Sequence, residues 1–301
     1  MEQGRPSETA RLTALMRAAH RFLDHPPLIF DDPLAMGLSG MADESATTSA
    51  VNALKRDLAD IDSEDVAETR LRTGRLCTVT RARYTEDELR QATQRGISQY
   101  VILGAGYDSF AYCRRQSAFA PRVFEIDHPD TQRAKQARLR ELAVDIPPDV
   151  TFVAVDFERQ SISEALRSSG YQFGEPGFFS WLGVTWYLSD EAVENTLRDI
   201  ADVAADGSEI VLDYFLPPSM LAPAERRAMQ INETLAGKLG ERGGNCFTPA
   251  RIKDTLQRAG FSDVVNFGSE EANSRYYTNR SDGLIYPKAV EFAKARIARE
   301  R

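Results

Sequence analysis

The chain has 301 residues, a formal net charge of −8 and 42% hydrophobic residues, enough for one large α/β domain with additions or two modest ones. The acidic balance argues against nucleic acid as a partner, since phosphate-binding surfaces are basic at least in patches. Cys77, Cys113 and Cys246 are too scattered for a disulfide frame or a zinc site, and no run approaches the roughly 18 apolar residues of a membrane span.

The N-terminal stretch mixes charges throughout and has no apolar core of a secretory signal, so a cytoplasmic, non-membrane protein is expected. Residues 1–95 read as a helical cap. "SETARLTALMRAAHRFL" opens on Ser7 as an N-cap, with Ala10, Leu12, Leu15, Met16, Ala19 and Phe22 at helical spacing. "HPPLIFDDPLAMGL" breaks that helix and starts a short one near Asp32-Pro33. "AVNALKRDLADI" reads as a third helix, and "RYTEDELRQATQRG" as a fourth that stops at Gly96.

From residue 96 the pattern changes. Short apolar runs, "QYVILGAG", "RVFEID", "VTFVAVDF", "GFFSWLGVTWYL" and "SEIVLDYF", alternate with helical stretches. That alternation predicts a parallel, doubly wound sheet with both faces covered. A helical insertion over about 217–246 interrupts it, bounded by Pro217-Pro218 and Gly243-Gly244, and reads as a mobile lid. "TPARIKDTLQRAG" predicts another helix, and "FSDVVNFG" with "NSRYYTNR" a closing antiparallel pair of strands.

The chemistry concentrates where strands end. Gly104, Ala105 and Gly106 end the first strand, and a loop without Cβ atoms lets backbone approach a ligand. About twenty residues on, "VFEID" ends in Glu125 and Asp127, placed for ribose hydroxyls. The third strand ends in Asp156-Phe157, a carboxylate beside a ring that suits adenine. These three strand ends describe a nucleoside site. A nicotinamide dinucleotide needs Gly-x-Gly-x-x-Gly/Ala with pyrophosphate on the helix N-terminus. Ser109 stands at the third position, and Asp108 would repel pyrophosphate but welcome a cation. S-adenosyl-L-methionine is therefore favoured, with a nicotinamide-dependent oxidoreductase or a cofactor-binding protein without catalysis as alternatives.

In order along the chain, "TALMRAAH…FDDPLA", "RARYTEDEL", "VILGAGYDSFAYC", "VFEIDHPDTQRAKQARL", "VDFERQS", "FFSWLGVTWYL" and "EEANSRYYTNRSDGL" resemble the signature blocks of the leucine carboxyl methyltransferase family, in particular its bacterial small-molecule O-methyltransferase branch. The resemblance implies a class I methyltransferase (Rossmann-like) fold with a seven-stranded sheet, its last strand antiparallel, a helical N-terminal cap over 1–95 and a core over 96–301 with the lid. It implies that Arg81 holds the methionine carboxylate of the cofactor, that Gly104 and Gly106 approach the methionine moiety, that Asp127 takes the ribose, and that Asp156 and Phe157 take the adenine, with Glu125 in support. The chain departs from the family at Leu182, where many relatives carry Glu; no role is transferred to it.

The implied reaction is S-adenosylmethionine-dependent O-methylation of a carboxylate or acidic hydroxyl on a small molecule, in secondary metabolism. The acceptor pocket is expected at Trp186 and Tyr187, with Tyr84, Tyr107, Tyr276 and Tyr277 as further lining. Only His20, His25 and His128 are available as bases; His128, beside Asp127, is a weak candidate and otherwise a turn histidine before Pro129. No metal-ligand spacing or Ser/His/Asp order stands out.

Overall fold

The computed structural model describes residues 6–113, 120–155, 160–238 and 243–299. The polar-apolar pattern of the first third folds into four helices: α1 (Glu8–Leu23), α2 (Ala35–Leu38), α3 (Glu44–Ala59) and α4 (Glu64–Gln94). Ser7 caps α1 as expected, its hydroxyl accepting from the Ala10 N–H. The fourth helix begins nineteen positions before the stretch that suggested it. It has 31 residues, about 46 Å of axis, and ends where Gly96 turns the chain at φ +100°.

Seven strands follow: β1 (Gln99–Leu103), β2 (Arg122–Asp127), β3 (Val150–Ala154), β4 (Gly177–Trp181), β5 (Glu209–Phe215), β6 (Phe261–Phe267) and β7 (Val290–Ile297). Between them run α5 (Phe110–Cys113), α6 (Pro129–Glu141), α7 (Ile162–Arg167), α8 (Asp190–Val203), α9 (Pro223–Lys238), α10 (Pro249–Arg258) and α11 (Ser269–Tyr276), with a 3-10 turn at Thr185–Tyr187. They form one sheet in the order β3-β2-β1-β4-β5-β7-β6. β1 to β5 pair in parallel, while β7 runs antiparallel to both β5 and β6. Every residue of β1 and β4 is buried. A strand covered on both faces has no polar alternation to show, which is why these segments read as continuous apolar runs.

The expected closing pair needs one correction. β6 lies where "FSDVVNFG" placed it, but Asn273–Tyr276 of "NSRYYTNR" belongs to α11, and β6 pairs instead with Val290–Ile297. Two side chains hold the helical alternative: Glu271 accepts from the Gly268 N–H, and Asn273 donates to the Tyr286 carbonyl and accepts from its N–H. Tertiary contacts thereby override the strand preference of two adjacent tyrosines.

The core lies on both faces of the sheet. A second apolar cluster joins Leu15, Met16 and Ala19 of α1, Val51 and Leu58 of α3, Ala67 and Leu71 of α4, and Ile231 of α9. The insertion is thus seated on the N-terminal half of α4.

Candidate functional site

The parallel topology brings the ends of β1, β2, β4 and β5 to one edge of the sheet, where ligands of open α/β sheets bind. At the β1 end, Gly104 and Gly106 take φ +68° and +47°. A Cβ on Gly104 would stand 2.8 Å from Val184 Cγ2, and one on Gly106 would stand 3.0 Å from the Ala10 Cβ of α1. Backbone conformation and close approach therefore both require glycine at Gly104.

The loop's N–H groups are already engaged. Gly104 and Ala105 both donate to the Ile126 carbonyl, at 2.9 and 3.0 Å. Gly106 donates to Asp127 Oδ2, and the His128 N–H donates to Asp127 Oδ1 at 2.6 Å. The Asp127 carboxylate, nearly buried, thus ties the glycine loop to the end of β2 and retains lone pairs for a ribose diol. Burial pushes its pKa up, against the two N–H donors that hold it down. A pyrophosphate would need these N–H groups for itself, so the geometry disfavours the dinucleotide reading on grounds independent of Asp108 and Ser109.

Glu125, one residue pair back along β2, is sealed in the core with Lys135 of α6 at 2.6 Å, both side chains 1% exposed. It supports the strand end rather than lining it. Asp156 and Phe157, expected at the adenine, lie outside the described residues.

Arg81 reaches this edge from α4. Its Nη1 lies 3.5 Å from Asp213 Oδ2 at the end of β5. Gly183, at φ +70°, makes room for it: a Cβ there would come within 2.5 Å of Nη1. Asp213 Oδ1 accepts from the Gly183 N–H at 2.6 Å, and the Asp213 carbonyl accepts from Thr185 Oγ1 at 2.8 Å. One buried carboxylate thus fixes both the β4 loop and the arginine. Burial pushes the Asp213 pKa up while Arg81 holds it down. Sequence reasoning missed Asp213; its signal was an acid two residues from the end of an apolar strand, at the same edge as Gly104. Leu182 is half-buried against the core.

A second acid stands out. Glu86, five residues beyond Arg81 on α4, has a pKa pushed up to about 8 by burial, with Asp108 and Asp32 adding repulsion. Asp32 is neutralised by Arg17 at 2.7 Å. The edge therefore presents a guanidinium for a carboxylate, acids that a cation would relieve, and a carboxylate for a diol. This donor set fits S-adenosyl-L-methionine, which carries all three counterparts.

The aromatic residues divide. Trp186 and Tyr187 stand together on the 3-10 turn after β4, ring centroids 5.0 Å apart and edge to face, with Trp186 also against Phe215 at 5.5 Å. The last part of the insertion closes on them: Gly243 packs on the Trp186 ring, and Asn245 donates to the carbonyls of Trp186 and Leu188. The other four have different surroundings. Tyr84 stacks on Phe267 at 4.2 Å in the core between α4 and the β6–β7 pair. Tyr107 packs with Ala14, Leu38 and Leu139 under α1. Tyr276 donates to Asp87 Oδ2 at 2.9 Å between two arginine side chains. Tyr277 is buried with its hydroxyl 2.6 Å from Thr80 Oγ1. His128 is the N-cap of α6, its Nδ1 accepting from the Asp130 N–H at 3.3 Å. Among the described residues no group of three His, Cys, Asp or Glu could hold a metal ion, and no helix is long and apolar enough to cross a membrane.

Comparison with known proteins agrees with this geometry. The family model for leucine carboxyl methyltransferase matches residues 10–201. A putative S-adenosyl-L-methionine-dependent methyltransferase of Bacillus subtilis, YktD, is 28% identical over 306 residues, covering 98% of this chain and 99% of that protein. A putative S-adenosyl-L-methionine-dependent methyltransferase of Mycobacterium avium is 33% identical over 204 residues, covering 67% of this chain and 66% of that protein. Two solved structures share the fold over nearly their whole length: a DUF574 family protein from Streptomyces avermitilis (TM-score 0.60, 14% identity, 98% of each chain) and a putative methyltransferase from Thermobifida fusca (TM-score 0.56, 15% identity, 99% of this chain and 97% of that one). The chain belongs to the leucine carboxyl methyltransferase family and is an S-adenosyl-L-methionine-dependent methyltransferase of class I fold.

Proposed function

We propose that this enzyme methylates an oxygen, carboxylate or acidic hydroxyl, of a small molecule of secondary metabolism. The acceptor pocket lies at Trp186 and Tyr187, under the insertion. The observation that carries the reading is the state of His128. Its Nδ1 already serves as the helix-cap acceptor for the Asp130 N–H, so it is engaged in holding α6. An acceptor oxygen that arrives as an anion needs no general base.

When bound, the cofactor supplies an electrophilic methyl group. The chain's own work is then positional. Arg81, steadied by Asp213 and accommodated by Gly183, holds the methionine carboxylate. Asp127 holds the ribose diol while it fixes Gly106, and Gly104 gives the β1 end its close approach. Asp108 favours the cofactor's cationic groups, and Glu86, whose proton burial retains in the free enzyme, would give it up beside them. Trp186 and Tyr187 form a wall that the insertion covers from Gly243 onward, excluding water from the methyl path.

The test is to incubate the enzyme and S-adenosyl-L-methionine with the small-molecule fraction of a cell extract, and separately with its proteins. Mass spectrometry should find a product one methylene heavier in the small-molecule fraction only. Mild alkali cleaves it if the acceptor is a carboxylate and leaves it intact if the acceptor is a phenol or enol. Methyl incorporation confined to the protein fraction, or into nitrogen, refutes the reading.

A further inference from the structure

Arg70 has no role in the site described so far, yet its environment is unusual. It lies on α4 eleven residues before Arg81. Eleven residues are three turns plus about 20°, so both arginines project from one face of the helix with their Cα atoms about 16 Å apart along its axis. The guanidinium is partly buried, and its Nε is sealed from solvent without a hydrogen-bond partner. No carboxylate neutralises it among the described residues; Tyr187 is the ionisable group whose field reaches it, and burial pushes its pKa below the usual arginine value. Between the two arginines on this face sits Gly74, where an added Cβ would meet nothing within 4 Å. Glycine inside a helix costs about 1 kcal/mol relative to alanine; here it leaves open space beside the helix. Immediately next to Arg70, Leu71 belongs to the apolar cluster that also holds Ile231 of the insertion. Trp186, neighbour of Tyr187, also has its indole Nε1 sealed and unpartnered.

A cation placed out of water without an anion is costly, and buried charges are ordinarily paired. Other arginines of these helices follow that rule: Arg75 grips Asp24 through two bonds of 2.7 and 2.8 Å, and Arg17 holds Asp32. We propose that Arg70 binds a carboxylate of the methyl acceptor, distinct from the oxygen that is methylated, so that the substrate is an anionic small molecule anchored at a point remote from the reacting atom. The inference rests on the acceptor pocket lying at Trp186 and Tyr187. The separation along α4 sets the distance: the methionine moiety belongs at Arg81, and a group at Arg70 lies beyond it, toward Tyr187 and the insertion. A carboxylate matches one planar guanidinium through two parallel bonds, and among the described residues no second cation acts on Arg70 that would favour a phosphate. Arg70 is a positioning residue: its pairing would fix the acceptor's orientation and leave the reacting oxygen free of a neutralising charge.

The test uses the full chain saturated with S-adenosylhomocysteine. A library of small carboxylic acids is screened by thermal shift and titration calorimetry against wild type and Arg70→Met, with the matching primary amides as neutral controls. Some acids should bind wild type and lose at least about tenfold in affinity in Arg70→Met; Arg70→Lys should recover part of the loss; the amides should not discriminate. S-adenosylhomocysteine affinity should stay within twofold, and Arg70→Met without any acid should unfold at the same temperature as wild type or higher, because an unpaired cation has been removed. A structural arginine predicts a lower temperature instead. Acids that bind both forms equally, or neither, overturn the proposal. The pocket assignment is judged separately: acids that bind wild type and Trp186→Ala alike place the acceptor elsewhere, whatever Arg70 does.

Discussion

Replacing Asp127 with asparagine tests the centre of the site, because the two groups differ by one charge and one reversed polarity. The carboxylate accepts from two backbone N–H groups, Gly106 through Oδ2 and His128 through Oδ1. An amide of the same shape can accept only one of them. Its NH2 must face the other N–H, donor against donor, and that N–H is left unpaired. Hydrogen bonds to a charged group contribute about 1.5–3 kcal/mol each, a neutral one about 1 kcal/mol, and a stranded buried donor costs about 1–3 kcal/mol. Part of this is offset, since burial already penalises the charged carboxylate and raises its pKa. The net expectation for Asp127→Asn is a loss of about 2–4 kcal/mol of stability. Urea unfolding of the ligand-free enzyme measures it as a lower midpoint at unchanged slope. Calorimetry with S-adenosylhomocysteine should show affinity reduced by about tenfold or more, as the ribose loses a charged acceptor and the glycine loop its tether. A variant that unfolds and binds like wild type would refute both roles. One that loses stability but, where folded, binds normally would leave the tether standing and remove the ribose contact.

Further outcomes follow from neighbouring groups. Arg81→Lys keeps a charge but loses the planar fork, so S-adenosylmethionine binding should weaken clearly while 5′-methylthioadenosine, which lacks the carboxylate, is nearly unaffected; equal losses in calorimetry would make Arg81 a purely structural partner of Asp213. Lys135→Met strands the buried Glu125 carboxylate and should cost about 3–5 kcal/mol in urea unfolding, with a loss below about 1 kcal/mol counting against the pair as described. Burial pushes the Glu86 pKa from its ordinary 4.5 up to about 8, so the folded enzyme keeps a proton that the unfolded chain releases, and this group's contribution falls as pH rises from 4.5 through about 8. Glu86→Gln should therefore gain stability over wild type at neutral pH, by at most about 3 kcal/mol, and lose that advantage near pH 4.5; a difference independent of pH would contradict the shift. His128→Ala should keep most of kcat and the shape of the pH–rate profile, whereas a rising limb that vanishes with the histidine would make it the base.

What the sequence determined by itself is the part that local pattern encodes. Strands buried on both faces appear as apolar runs, glycines mark where the backbone must turn at positive φ, and acids at strand ends are visible because strand and loop are contiguous. Gly104, Gly106 and Asp127 were legible for that reason, and Arg81 through the block of residues around it. What the tertiary structure decided are relations across the sheet and between helices. Asp213 acquires its role because β5 ends beside the β4 loop, so that one carboxylate meets both the Gly183 N–H and Arg81. Val290–Ile297, with its Ala, Lys, Glu and Arg content, has no strand signature of its own; it is a strand because β5 and β6 each offer it an antiparallel ladder. Tyr276 is helical, with Tyr277 as the C-cap of α11, because Glu271 and Asn273 satisfy backbone groups that a strand would have left to other partners. Arg70 reads in the sequence as one more charge on a long helix. Its sealed, unpaired Nε exists only once α4, the turn at Tyr187 and the insertion have come together, because pairing and burial are properties of what surrounds a side chain, and that is set by contacts far apart in the chain.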